Sequence, residues 1–120
     1  MPWRLDGKAP VFVQICDALR SDILCGKYAR GAQFPTVRRL AEEAAVSPNT
    51  VQRALGVLEE EGLIYTNGTQ GRFVTQDEGV LLAAKEALWR KTVRELMASA
   101  GALGMSADDI IRMIREQEVE

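Results

Sequence analysis

Two helical patterns in this chain meet across a gap too short for anything but a tight turn, and that gap constrains the fold more than any other feature. The first pattern takes Thr36 as its N-cap and carries Val37, Leu40, Ala41 and Ala44 at three- and four-residue steps, the apolar stripe of a short buried helix. Ala45-Val46 follows, and Ser47-Pro48 then restarts helix. A serine at the N-cap accepts a hydrogen bond from a first-turn amide. A proline just inside sacrifices nothing, because the amide it lacks has no partner within the helix. The second pattern runs to about Glu61, with Gly62 suited to the left-handed residue that ends a helix. On a helical wheel Val51, Ala54, Leu55 and Leu58 share one side, while Asn49, Gln52, Arg53 and Gly56 lie about 160° away. A short helix, a turn and a second helix with an apolar inner face are the parts of a helix-turn-helix.

The flanks extend this unit. Phe12, Ile15, Cys16, Leu19 and Ile23 give helical spacing over 11–25, with Pro10 before it and Gly26 after it as start and stop signals. Residues 26–35 read as a loop. After Gly62 come two short β-prone runs, 63–65 and 72–75, around Asn67-Gly68, a hairpin signal. The order predicts a mainly α fold with a small β-hairpin: a winged helix-turn-helix over 1–76. A helical tail should occupy 77–120. Its first helix spans about 78–100 and is broken by Gly101 and Gly104; its second is capped by Ser106 with Asp109 three residues on. Ile110, Met113, Ile114 and Gln117 form one face of that last helix.

The outer face of the third helix carries the chemistry. Amide side chains suit bidentate contacts with adenine, arginine suits guanine or phosphate, and glycine allows close approach. Free amides at the helix N-terminus suit a phosphate. The stretches Phe34-Pro35-Thr36-Val37-Arg38-Arg39-Leu40-Ala41, Val46 to Leu55, and Leu58-Glu59-Glu60-Glu61-Gly62-Leu63-Ile64 strongly resemble the GntR family of bacterial regulators, in register from Pro10 to Thr75. The short tail, ending in Leu103-Gly104-Met105-Ser106-Ala107-Asp108-Asp109-Ile110-Ile111, resembles the YtrA subfamily. The resemblance implies operator-DNA binding and repression, often of a transporter operon. It implies that Arg38 contacts backbone or guanine and that Asn49, Thr50 and Gln52 read the major groove or adjoining phosphates. Ser47 would cap the reading helix beside a phosphate, and Gly71 with Gln70 and Arg72 would bring the wing to the minor groove. Arg53 joins this set from the wheel alone. Three positions depart from the family pattern. Pro48 stands where many members have arginine, the wing 67–71 has no basic residue, and Ala45 replaces a usual glycine.

Composition excludes more than it suggests. The net charge is −2, unusual for a nucleic-acid binder. Residues 1–76 carry nine Lys/Arg and eight Asp/Glu, so any DNA-binding face must be local. The chain has no histidine, and its two cysteines, Cys16 and Cys25, sit nine positions apart on one helical pattern. That spacing makes neither a bridge, a zinc site nor a redox pair, and predicts two reduced thiols packed as small apolar groups. No enzyme, metal or cofactor is expected. No apolar run is long enough to span a bilayer and residues 1–7 lack a signal-peptide pattern, so a cytoplasmic protein without membrane contact is expected. A winged helix used for protein contacts is the rival reading, disfavoured by the polar Asn49, Gln52 and Arg53.

The tail argues for pairing. Leu82, Trp89, Val93 and Leu96 fall within about 60° on the wheel, and Leu81 and Leu88 widen that stripe. A winged helix cannot cover such a stripe alone, so a homodimer on an inverted-repeat operator is expected. A small-molecule effector, of unspecified identity, would act where the tail meets the reading head.

Overall fold

The structure is a computed structural model that describes Leu5, Gly7 and residues 9–118. It contains helices α1 (Val11–Leu24), α2 (Val37–Ala44), α3 (Pro48–Glu60), α4 (Glu78–Ala102) and α5 (Ala107–Gln117), with strands β1 (Ile64–Thr66) and β2 (Arg72–Val74) between α3 and α4. The chain divides into two compact units, Met1–Ala83 and Ala84–Glu120. Among the described residues no helix is long and apolar enough to cross a membrane.

The core of the first unit is where the wheel puts it. Ile15, Leu19 and Ile23 of α1, Leu40 of α2 and Val51, Ala54, Leu55 and Leu58 of α3 are buried together with Leu63, Ile64 and Val74 of the hairpin. Burying each large aliphatic side chain contributes about 1.5–3 kcal/mol, so this layer holds the reading helix in place. Cys16 packs in the same layer, and burial pushes its thiol pKa up, away from the reactive thiolate. Cys25 departs from expectation. It lies on the exposed side of the α1 C-cap, where its thiol donates to the Asp22 carbonyl at 3.4 Å.

β1 and β2 pair antiparallel with Ile64 opposite Val74, Tyr65 opposite Phe73 and Thr66 opposite Arg72. The loop after α1 adds to the other side of β2. The Gly31 amide donates to the Val74 carbonyl (3.0 Å), the Val74 amide to the Ala32 carbonyl (2.9 Å) and the Phe34 amide to the Arg72 carbonyl (2.7 Å). Residues 31–34 were expected to be plain loop. Gly31-Ala32-Gln33 has no β-branched residue and too short a run for alternation, so only tertiary pairing makes it strand-like.

The turn between α2 and α3 is held by Ala45 in the left-handed conformation, φ 56° and ψ 45°. A Cβ in that region costs roughly 1–2 kcal/mol. Ala45 is exposed, so Ala45→Gly should stabilise the protein. Part of the relieved strain is offset by the greater freedom of glycine in the unfolded chain, leaving about 0.5–1 kcal/mol. A rise in thermal midpoint of a few degrees should register this, and no rise would mean the turn is unstrained.

α4 begins at the Asp77 carboxylate, which accepts from the Val80 amide at 3.3 Å. It continues through Gly101, contrary to the expected break, and stops at Gly104, whose φ of +77° closes it. The Met105 amide then bonds back to the Ala100 carbonyl at 2.8 Å. Gly101 alone cannot end a helix because it also tolerates helical φ; the left-handed residue is what ends it. Ser106 and Asp109 form a reciprocal cap on α5, with Asp109 N to Ser106 Oγ at 3.2 Å and Ser106 N to Asp109 Oδ2 at 2.9 Å. The Ser106 backbone amide first, and its hydroxyl second, bond to the Asp109 carboxyl and hold it below the usual carboxylate range.

Candidate nucleic-acid interface

Ser47 does what a serine before Pro48 should. Its Oγ accepts from the Thr50 amide at 3.3 Å and lies 2.9 Å from the Thr50 hydroxyl, so both side chains sit at the N-terminus of α3. Asn49 and Gln52 follow on the outer face. Both are exposed, and their amides have no partner among the described residues. Unpaired amides on a rigid helix are what base-edge readout uses, since four donors and acceptors can be offered without first breaking a contact.

The cations are arranged differently from one another. Arg38 projects from α2 with its side chain 90% exposed and only a 3.4 Å pair to Glu42. Arg39 pairs with Glu43 at 3.2 Å in the same i,i+4 manner. Exposed pairs of this kind contribute about 0.3–0.5 kcal/mol, so either arginine can exchange its carboxylate for a phosphate at small cost. Arg53 lies over the Phe12 ring, 4.1 Å from its centroid. Arg72 is turned back from the wing, its Nε donating to Glu59 Oε1 at 2.7 Å. The Thr66 hydroxyl donates to the same oxygen at 3.1 Å. The Arg72 charge thus fastens the hairpin to α3.

At the wing, Gly71 has φ 106° and ψ −157°, backbone essentially restricted to glycine. A Cβ there would also lie 3.2 Å from Gln33 Nε2. That amide donates to the Gln70 carbonyl at 2.8 Å, and the Gln70 side chain accepts from Asn67 Nδ2 at 3.3 Å. Gln33 and Glu59 therefore set the wing's geometry, and sequence reading missed both. Gln33 lies in an apparent loop. Glu59 opens an acidic run that looks like an ordinary solvated helix end.

Arg38, Ser47, Asn49, Thr50 and Gln52 are carried by the two helices of the helix-turn-helix, with Gln70 and Gly71 on the wing. Arg72 and Arg53 belong to the hairpin and α3, each engaged with a neighbouring element. Residues 12–74 match the family model described as bacterial regulatory proteins, gntR family. The HTH-type transcriptional repressor YtrA of Bacillus subtilis is 28% identical over 108 residues, covering 89% of this chain and 83% of its own. A GntR family transcriptional regulator from Listeria monocytogenes has the same fold at a TM-score of 0.85 and 28% identity, covering 93% of this chain and 98% of that one. The DNA-binding domain of AraR, solved in complex with its operator ORX1, matches at a TM-score of 0.56 and 28% identity over 60% of this chain and 93% of that one. An unpaired amide face on the second helix of a helix-turn-helix, a glycine-restricted wing and a family match across the whole reading unit lead to one conclusion: this chain is a DNA-binding transcription regulator of the GntR family.

Proposed function

We propose that the protein is a YtrA-type repressor that binds an inverted-repeat operator as a homodimer, with α3 in the major groove and the wing over the adjoining minor groove. The observation that carries this reading is the α3 outer face, where Asn49 and Gln52 stand exposed beside the Ser47-capped N-terminus. A protein-contact face would be apolar there. Pairing is supported by Trp89 and Val93, whose side chains are 61% and 53% exposed in the second unit. An apolar groove of about 330 Å³ in that unit, lined in part by Leu96, Leu103, Ile110 and Ile114, adds to the uncovered surface. A transporter operon is the target class that the subfamily resemblance of the sequence implies.

Selection from random duplex DNA with purified protein tests the whole proposal. An enriched palindrome is expected; no enrichment at low salt would overturn it. On the selected site, Gln52→Ala should relax preference at one position per half-site, at a cost of about 1–3 kcal/mol against the wild-type base. Arg38→Ala should instead weaken binding to all sequences by roughly 1–3 kcal/mol and lower the salt slope by about one. Titrations at several salt concentrations separate the two.

A further inference from the structure

The described arginines of the first unit are Arg20, Arg30, Arg38, Arg39, Arg53 and Arg72. Five of them are ion-paired, Arg20 with Asp17 and Glu61, Arg30 with Glu78, Arg38 with Glu42, Arg39 with Glu43 and Arg72 with Glu59. Arg53 is the exception. Its guanidinium rests on the Phe12 ring, 4.1 Å from the centroid, and among the described residues no carboxylate partners it. The difference matters chemically. A carboxylate neutralises a guanidinium and occupies its N–H edges. An aromatic face holds the cation by its quadrupole, leaves the charge uncancelled and leaves the in-plane donors open.

Arg53 is exposed on α3, one turn after Asn49 and next to Gln52. Phe12 is half-buried in the first turn of α1, which packs on α3, and Ile15 and Leu19 of α1 and Leu55 and Leu58 of α3 are buried in the core. The ring is thus placed by the core, and it removes rotamer freedom that a solvated arginine would lose on binding. We propose that Phe12 is a positioning residue that holds Arg53 as an uncancelled, pre-oriented donor to the DNA. The proposal rests on the first unit being a DNA reader and adds a residue of α1 to the recognition machinery.

A double-mutant cycle on affinity for the selected operator tests it. Arg53→Ala should weaken binding about tenfold. Phe12→Leu should weaken it about three- to fivefold, and the double variant should bind like Arg53→Ala alone. Phe12→Tyr keeps the aromatic face and should restore binding. Thermal melts establish that each variant is folded at the assay temperature. If Phe12→Leu is not, Phe12→Met replaces it in the cycle. Unchanged affinity in Arg53→Ala, or losses that multiply in the double variant, would overturn the proposal, since a contact that merely fastens α1 to α3 moves the melt and leaves no coupling in binding. Failure of the wild type to bind any operator would instead sink the DNA-reading assignment on which it rests.

Discussion

Leu55→Ala should unfold a large part of the population, with a loss of about 2–5 kcal/mol. Leu55 is fully buried, at 0% exposure, on the inner face of α3, the helix that packs against α1 and α2. Truncation removes transfer energy and leaves a cavity in the packed core, which cannot collapse without shifting α3 itself. Domains of this size have a total stability of about 5–15 kcal/mol, so the variant keeps little margin. Urea unfolding followed by circular dichroism should show a much lower midpoint at similar slope. A shift below about 0.5 kcal/mol would mean that the α1–α3 layer is not the main support of the reading helix. Gln52→Ala, three residues away but exposed, should leave the midpoint nearly unchanged while altering base preference. The pair of variants separates what α3 does for the fold from what it does for recognition.

Val93→Glu should convert the protein to a monomer at micromolar concentration. Val93 is half-exposed in the second unit, with Trp89 one turn before it and Leu96 one turn after, both also exposed. If a second copy covers this face, the substitution buries a carboxylate from each protomer in an apolar contact. In a monomer the same carboxylate is simply solvated, so helicity and melting of the separate chain should persist. Tethering two reading heads makes the second contact intramolecular, an advantage on the order of 10²–10⁴ in affinity. Binding to the full inverted repeat should fall by about that factor, while binding to one half-site stays as it was. A stable dimer in sedimentation would rule out this tail face as the pairing surface.

Much of the recognition unit was legible because local rules and burial agree there. Val51, Ala54, Leu55 and Leu58 recur at helical spacing, and all four are buried. Ser47-Pro48 marks the start of α3 by chemistry that acts within one turn, and Ser106 with Asp109 marks α5 in the same way. Gly62 and Gly104 close their helices through a positive φ. The misses share a cause. Gly101 has the same composition signal as Gly104, but φ decides and φ is not written in one residue. Cys25 looked like a core thiol by type, yet the last turn of α1 carries it to the surface.

The sequence by itself determined the order of elements, the apolar stripe of α3 and the amides of its outer face, because each depends on patterns spaced one to four residues apart. Tertiary structure alone decided which charges are available to DNA. Arg38, Arg53 and Arg72 are equivalent as letters, but one points to solvent, one lies on the Phe12 ring and one is spent on Glu59. It also decided that residues 31–34 complete the wing and that Gln33 braces its tip. Those outcomes join groups 13 to 43 positions apart, and no periodicity of the chain reports which groups meet once the helices pack.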